Sequence, residues 1–180
     1  MMSNSVLVLS GSPRKGGGTD KLAAAFKEGA ESAGKRVTLF RTADLKIAGC
    51  LGCGHCFSGD GDCVLKDDMG AILAEYRKAD AVVFASPVYF AGVSAQLKLA
   101  IDRTNAAPSD KASIKRCALL LTCGEASGES AGGAIAMYKL ALNYHNWEDA
   151  GVIVVPGLYG KGDIDGRMEL EQARRLGREI

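Results

Sequence analysis

The chain has 180 residues, a formal net charge of +1, 24% charged and 47% hydrophobic residues. That length suits a single domain with a sizeable core, and the near-neutral balance gives no electrostatic footprint for nucleic acid or an acidic lipid surface. No apolar run approaches the ~18 residues of a membrane span. The opening "MMSNSVLVLSGS" lacks the basic residues of a signal peptide, so the expectation is a cytoplasmic protein whose six cysteines stay reduced.

In chain order, "VLVLS" (6–10) is a branched apolar run that reads as a buried strand ending at "GSPRKGGG". Thr19 then caps a helix with Leu22, Phe26, Ala30 and Ala33 on its inner face and Gly34 as its stop. "RVTLFR" (36–41) is a second strand, and an irregular segment of about 42–66 follows. Asp67 or Asp68 caps a helix carrying Met69, Ile72, Leu73 and Tyr76 at i, i+3, i+4, i+7. "AVVFA" (81–85) is the third strand, with a helix from about Ser94 to Thr104 after it. "CALLLT" (117–122), a helix from about Gly132 to Asn146, "GVIVVP" (151–156) and a helix over 166–177 complete the series.

Strands alternating with helices predict a five-stranded parallel sheet covered on both faces. Flavodoxin-like and Rossmann-like topologies both satisfy that pattern, and in both the loops after the strands gather at one edge, where ligands bind. The first such loop, "SGSPRKGGGT", offers the hydroxyls of Ser10, Ser12 and Thr19, the cations Arg14 and Lys15, and free N–H groups at a helix start. A terminal phosphate wants all three. The loop has neither Walker A spacing, since Gly17 stands where lysine is needed, nor G-x-G-x-x-G, since Pro13 blocks the second glycine.

The third loop, "SPVYFAG" (86–92), sets Pro87, Val88, Tyr89 and Phe90 at a strand's carboxyl end. In the order 2-1-3-4-5 it flanks the same crevice as the first loop, the switch point that holds FMN. A flavin ring wants apolar faces with backbone donors and acceptors at its rim. After the fourth strand, Thr122 and Gly124 open a loop of small residues at that edge, a weaker signal. Packing of a helix start or a subunit contact is the plainer reading of Tyr89 and Phe90.

The stretches "GSPRKGGGT" (11–19), the cysteine loop running into "CVLKDDM" (63–69), and "SPVYFAGVSAQLKLAIDR" (86–103) together resemble the NADPH-dependent FMN reductase family, in its iron–sulfur flavoprotein branch. The resemblance implies a flavodoxin-like fold and FMN with its phosphate on the first loop, where Ser10, Ser12, Arg14 and Thr19 match. It implies NAD(P)H as co-substrate and a homodimer or homotetramer. Gly18 departs from the pattern, which often has Asn there; a backbone amide remains.

The spacing C-x2-C-x2-C-x6-C joins Cys50, Cys53, Cys56 and Cys63. Close thiolates wrap one corner of a cubane while the longer gap lets the fourth reach around it, and Gly52, Gly54, Gly59 and Gly61 ease the wrap. Three readings stay open: a 4Fe–4S cluster, as in the branch resembled; zinc, with His55 as a substitute ligand; or an empty loop. His145 reads as a helix-end residue, Cys117 as a buried thiol, and Cys123 as nothing more. The function expected is an FMN-dependent oxidoreductase fed by NAD(P)H or a reduced carrier and passing electrons through the cluster. A cluster-free NAD(P)H-dependent reductase of flavin, quinone or azo compounds and a non-enzymatic FMN shuttle are the rivals. Donor and acceptor would be small molecules or proteins.

Overall fold

A computed structural model of the chain describes residues 4–58, 61–107 and 112–180. Met1–Ser3 of the N-terminal stretch and Gly59 of the cysteine loop lie outside them. Five parallel strands lie in the order β2-β1-β3-β5-β6: β1 (Ser5–Ser10), β2 (Arg36–Arg41), β3 (Ala81–Tyr89), β5 (Arg116–Thr122) and β6 (Glu148–Val155). The two-residue strand β4 (Gly92–Val93) folds back antiparallel on the end of β3. With β4 set aside, the parallel strands follow the expected flavodoxin-like order 2-1-3-4-5.

Alternation along the central strands explains the doubly wound form. Val6 and Val8 point to one face and Leu7 and Leu9 to the other, and all are buried because both faces are covered. Helices α1 (Gly18–Ser32) and α5 (Met168–Glu179) cover the first face, meeting Val83, Ala85, Leu120 and Val155 with Leu22, Phe26 and Ala173. Helices α2 (Met69–Tyr76), α3 (Ala95–Arg103) and α4 (Gly132–His145) cover the second with Ile72, Leu97 and Tyr138. Among the described residues, no helix is long and apolar enough to cross a membrane.

Three local differences from expectation have physical causes. Thr19 lies inside α1: the cap position is Gly17, with no side-chain cap. Strand β3 continues past Ala85, where Ser86 and Pro87 pair with Leu121 and Thr122 of β5. Proline is tolerated there because β1 has already left β3 at Ser10–Ala85, so no partner awaits its missing N–H. Strand β6 starts before Gly151 because a bulge breaks its register between Cys117 and Ala118. Ala150 is its extra residue, and Asp149 beside it accepts from the Gly151 amide (2.9 Å) and the Tyr138 hydroxyl (2.6 Å). At α2 the cap position is Asp68, without a side-chain cap bond, while Asp67 Oδ1 accepts from the Met69 amide (3.1 Å); at α3 the Ser94 hydroxyl caps the helix, accepting from the Leu97 amide (3.3 Å).

Candidate functional site

The loops after β1, β3, β5 and β6 meet at one sheet edge around a cleft of about 200 Å³. Ser12, Arg14, Gly17, Gly18 and Thr19 form one side. Helix α1 begins there without a side-chain cap, so its first N–H groups and the positive end of its dipole are left for a ligand. Thr19 shares a hydrogen bond of 2.7 Å with the Thr122 hydroxyl, tying the helix start to the end of β5 across the cleft floor. Arg14 Nη1 donates to the Tyr159 carbonyl (3.2 Å), bringing a guanidinium over the same end.

A carboxylate so near a phosphate seat would repel it, yet Asp20 sits in the first turn of α1. The chain neutralises it. Asp20 accepts from the Gly16 amide (2.9 Å), the Ser10 hydroxyl (3.3 Å) and Arg41 Nε (3.2 Å), and Arg41 Nη2 also holds the Ser12 carbonyl (2.9 Å). Gly11 fits against α3 because a side chain there would strike Ser94 and Leu97; the Ser94 hydroxyl instead donates to the Gly11 carbonyl (2.7 Å). The first loop is thereby fixed to α3 and β2 before any ligand arrives.

The opposite side is Pro87, Val88 and Tyr89 from β3, with Thr122, Cys123 and Gly124 after β5. Two expected residues stand elsewhere. Ser10 is buried with its hydroxyl on Asp20 and does not line the cleft. Phe90 is fully exposed at the tip of the β3–β4 hairpin and does not line it either. Lys15 turns outward to Asp44 (3.5 Å). Burial pushes the Cys123 thiol above its ordinary pKa, so it stands neutral beside the cleft. His145 stacks on Trp147 at the far end of α4, with ring centroids 4.2 Å apart.

The fourth wall was not anticipated. Leu158, Tyr159, Gly160 and Lys161 come from the loop after β6, held by Asp163, which accepts from the amides of Tyr159 (2.8 Å) and Gly160 (2.7 Å). "PGLYGKGDIDG" carries a recognisable signal, an aromatic and a cation among glycines immediately after a strand. Tyr159 lies over Gly124, where an added Cβ would come within 3.1 Å of its ring. Its side chain is largely exposed, and its hydroxyl has no hydrogen bond among the described residues. The cleft joins a cationic, N–H-rich end to an apolar wall, which fits a phosphorylated flat ring system.

The second site is the cysteine loop. Cys50, Cys53, Cys56 and Cys63 all line one cavity of about 180 Å³, bounded also by Arg103 at the end of α3 and by Asn105 and Ala106 after it. Gly52, Gly54 and Gly61 take positive φ (64°, 71° and 77°), the conformation glycine adopts freely. Among the described residues, no three His, Cys, Asp or Glu side chains stand close enough to hold a metal ion. The donor set, four cysteines around one cavity, suits either zinc or an iron–sulfur cluster by its chemistry.

Two side chains pin this loop. Arg103 donates to Cys63 Sγ (3.3 Å), the carbonyls of Ala48 (3.2 Å) and Leu65 (3.3 Å), and Asp67. Arg77 Nη2 donates to Asp62 (2.7 Å) and the Ala106 carbonyl (2.8 Å). Burial would raise the Asp67 pKa, but Arg103 and the amides of Ala48 and Met69 outweigh it and hold the carboxyl below its ordinary value.

The topology and the cleft at its switch point define a doubly wound, flavodoxin-like nucleotide-binding protein. The chain belongs to the NADPH-dependent FMN reductase family, whose model matches residues 4–161. Its relatives include an iron–sulfur flavoprotein of Methanocaldococcus jannaschii, 38% identical over 55% of this chain and 51% of that one. Another, from Archaeoglobus fulgidus, is 30% identical over 76% of this chain and 68% of its own. The chain spans about half the length of several curated relatives that it matches. An NAD(P)H:quinone oxidoreductase from Methanothermobacter marburgensis shares the fold with a TM-score of 0.76 at 20% identity, over 98% of this chain and 96% of that one.

Proposed function

We propose that the chain is an FMN-dependent oxidoreductase that draws electrons from NAD(P)H or a reduced carrier and passes them on through a 4Fe–4S cluster in the cysteine loop. The observation that carries the reading is the pairing of two sites on one chain: the cleft and the four-thiol cavity. FMN in the cleft would supply two-electron acceptance as hydride and one-electron release. A cluster ligated by Cys50, Cys53, Cys56 and Cys63 would carry single electrons onward.

The chain's own part is placement. Arg14, Ser12 and the uncapped first turn at Gly18 and Thr19 hold the phosphate, with Lys161 adding charge at the rim. Pro87 and Val88 exclude water from one ring face, and Tyr89 borders it. Thr122 and Gly124 lie beside the ring's polar edge. Tyr159, exposed and unbonded through its hydroxyl among the described residues, borders the cleft mouth over Gly124. No side chain is needed as an acid or base. The assembly is a cytoplasmic homodimer or homotetramer exchanging electrons with small molecules or proteins, without nucleic-acid or membrane partners.

Purification without oxygen tests this directly. Flavin bands on a broad iron–sulfur absorbance, with iron and sulfide found by analysis, are expected. Flavin alone with rapid NADPH oxidation would leave a cluster-free reductase, and flavin without turnover a shuttle. Failure to quench the fluorescence of added FMN would remove the reading altogether.

A further inference from the structure

Arg103 ends α3 and is 2% exposed, a burial that a guanidinium tolerates only when well paired. Its partners come from both ends of the cysteine loop: the Ala48 carbonyl before the cysteines, then Cys63, Leu65 and Asp67 at their end. One side chain thus closes the neck of the loop. Closing a neck, however, needs only the two carbonyls and the carboxylate. Arg103 also aims an N–H at a cysteine sulfur, 3.3 Å away, and lines the cavity that all four thiols share. Its Nε is buried with no acceptor among the described residues.

We propose that Arg103 is a positioning residue that raises the reduction potential of the cysteine-loop cluster through its N–H bond to the Cys63 sulfur, an inference that rests on the cluster reading above. One-electron reduction makes and breaks no bond; it adds one negative charge to a group already held by four thiolates. A buried cation and a hydrogen bond to a ligand sulfur favour the more negative state, and hydrogen bonds to the sulfurs are among the levers that set such potentials. Burial keeps salt and water from screening the effect.

Arg77 supplies the control. It pins the same loop through Asp62 and the Ala106 carbonyl and, among the described residues, has no hydrogen bond to any cysteine. A residue that mattered only for loop structure would behave as Arg77 does.

The experiment compares the wild type, Arg103→Lys, Arg103→Met and Arg77→Met, each reconstituted with iron and sulfide under argon. Iron and sulfide are counted, and the potential is measured by dye-mediated titration with dithionite, read by visible and paramagnetic resonance spectra. Arg103→Lys is expected to keep the cluster at a potential below wild type, Arg103→Met to fall lower still, and Arg77→Met to match wild type. If Arg103→Met does not assemble a cluster, the lysine variant alone decides the matter. An intact cluster with unchanged potential in Arg103→Lys overturns the assignment, as does an equal shift in Arg77→Met. Wild-type protein without iron and sulfide overturns the cluster reading, and this inference with it.

Discussion

At Arg14 a single charge tests the proposed phosphate seat. On the proposed reading its guanidinium would meet the phosphate, and it is exposed, so solvent weakens its worth below the ~1.5–3 kcal/mol of a typical charged hydrogen bond. Arg14→Gln should weaken FMN binding about three- to tenfold while leaving riboflavin, which has no phosphate, unchanged; fluorescence quenching with each compound checks this. Equal losses for both would place the phosphate elsewhere. Asp67 gives a pH effect of known sign. Its folded pKa lies below the unfolded value, so its contribution is complete above about pH 4 and is lost as the pH falls through the folded value. Asp67→Asn leaves the buried Arg103 without its anion and should destabilise the chain on the order of 3 kcal/mol at neutral pH. It should also flatten this part of the acid transition in thermal melts taken from pH 7 down to pH 3.

Between elements, backbone contact sets the tolerances. Helices α1 and α5 cross where Gly29 faces the Arg174 carbonyl and Gly177 faces the Phe26 carbonyl; a methyl group at either would strike backbone. Gly29→Ala and Gly177→Ala should each cost about 1–3 kcal/mol in denaturant unfolding. The double variant should cost less than their sum, because one separation of the helices accommodates both. The β3–β4 turn has the opposite potential. Phe90 and Ala91 both hold positive φ (50° and 61°), the primed hairpin geometry that Asn-Gly adopts without strain. Replacing the pair by Asn-Gly should stabilise the fold by about 1 kcal/mol, read as a rise in Tm. This turn also shows where periodicity fails. Strands such as "VLVLS" and "AVVFA" were legible because burial on both faces demands unbroken apolar runs. The extension through Pro87 and the hairpin beyond it were not, since Pro87 and two non-glycine αL residues argue locally against both. Likewise Thr19 is a good capping residue by type, but its hydroxyl serves Thr122.

Over the whole molecule, the legible part of the cleft came from loops whose residue chemistry is self-declaring: hydroxyls and cations after β1, apolar residues after β3. The wall after β6 escaped because its signal, Tyr159 and Lys161 among glycines after a strand, gains a meaning only when the topology brings Leu158 and Tyr159 to the same edge. Ser10 shows the converse: a hydroxyl of the right type, one residue too deep, is spent on Asp20. The cysteine spacing suggested a shared seat; the four cysteines line one cavity, but among the described residues no three His, Cys, Asp or Glu side chains stand close enough to hold a metal ion. The cleft and that cavity have no lining residue in common; the first is fastened through Arg41, Asp20 and Ser94 at the start of α3, the second through Arg77 and through Arg103 at the opposite end of that helix. Sites without shared partners perturb each other by only a few tenths of a kcal/mol. Cys56→Ser should therefore abolish iron and sulfide retention yet change FMN affinity less than about twofold. Equilibrium quenching measures the affinity, and metal analysis of the same samples reports the cluster. A flavin affinity that fell together with the iron would mean that the loop and the cleft form one cooperative unit, which their separate fastenings argue against.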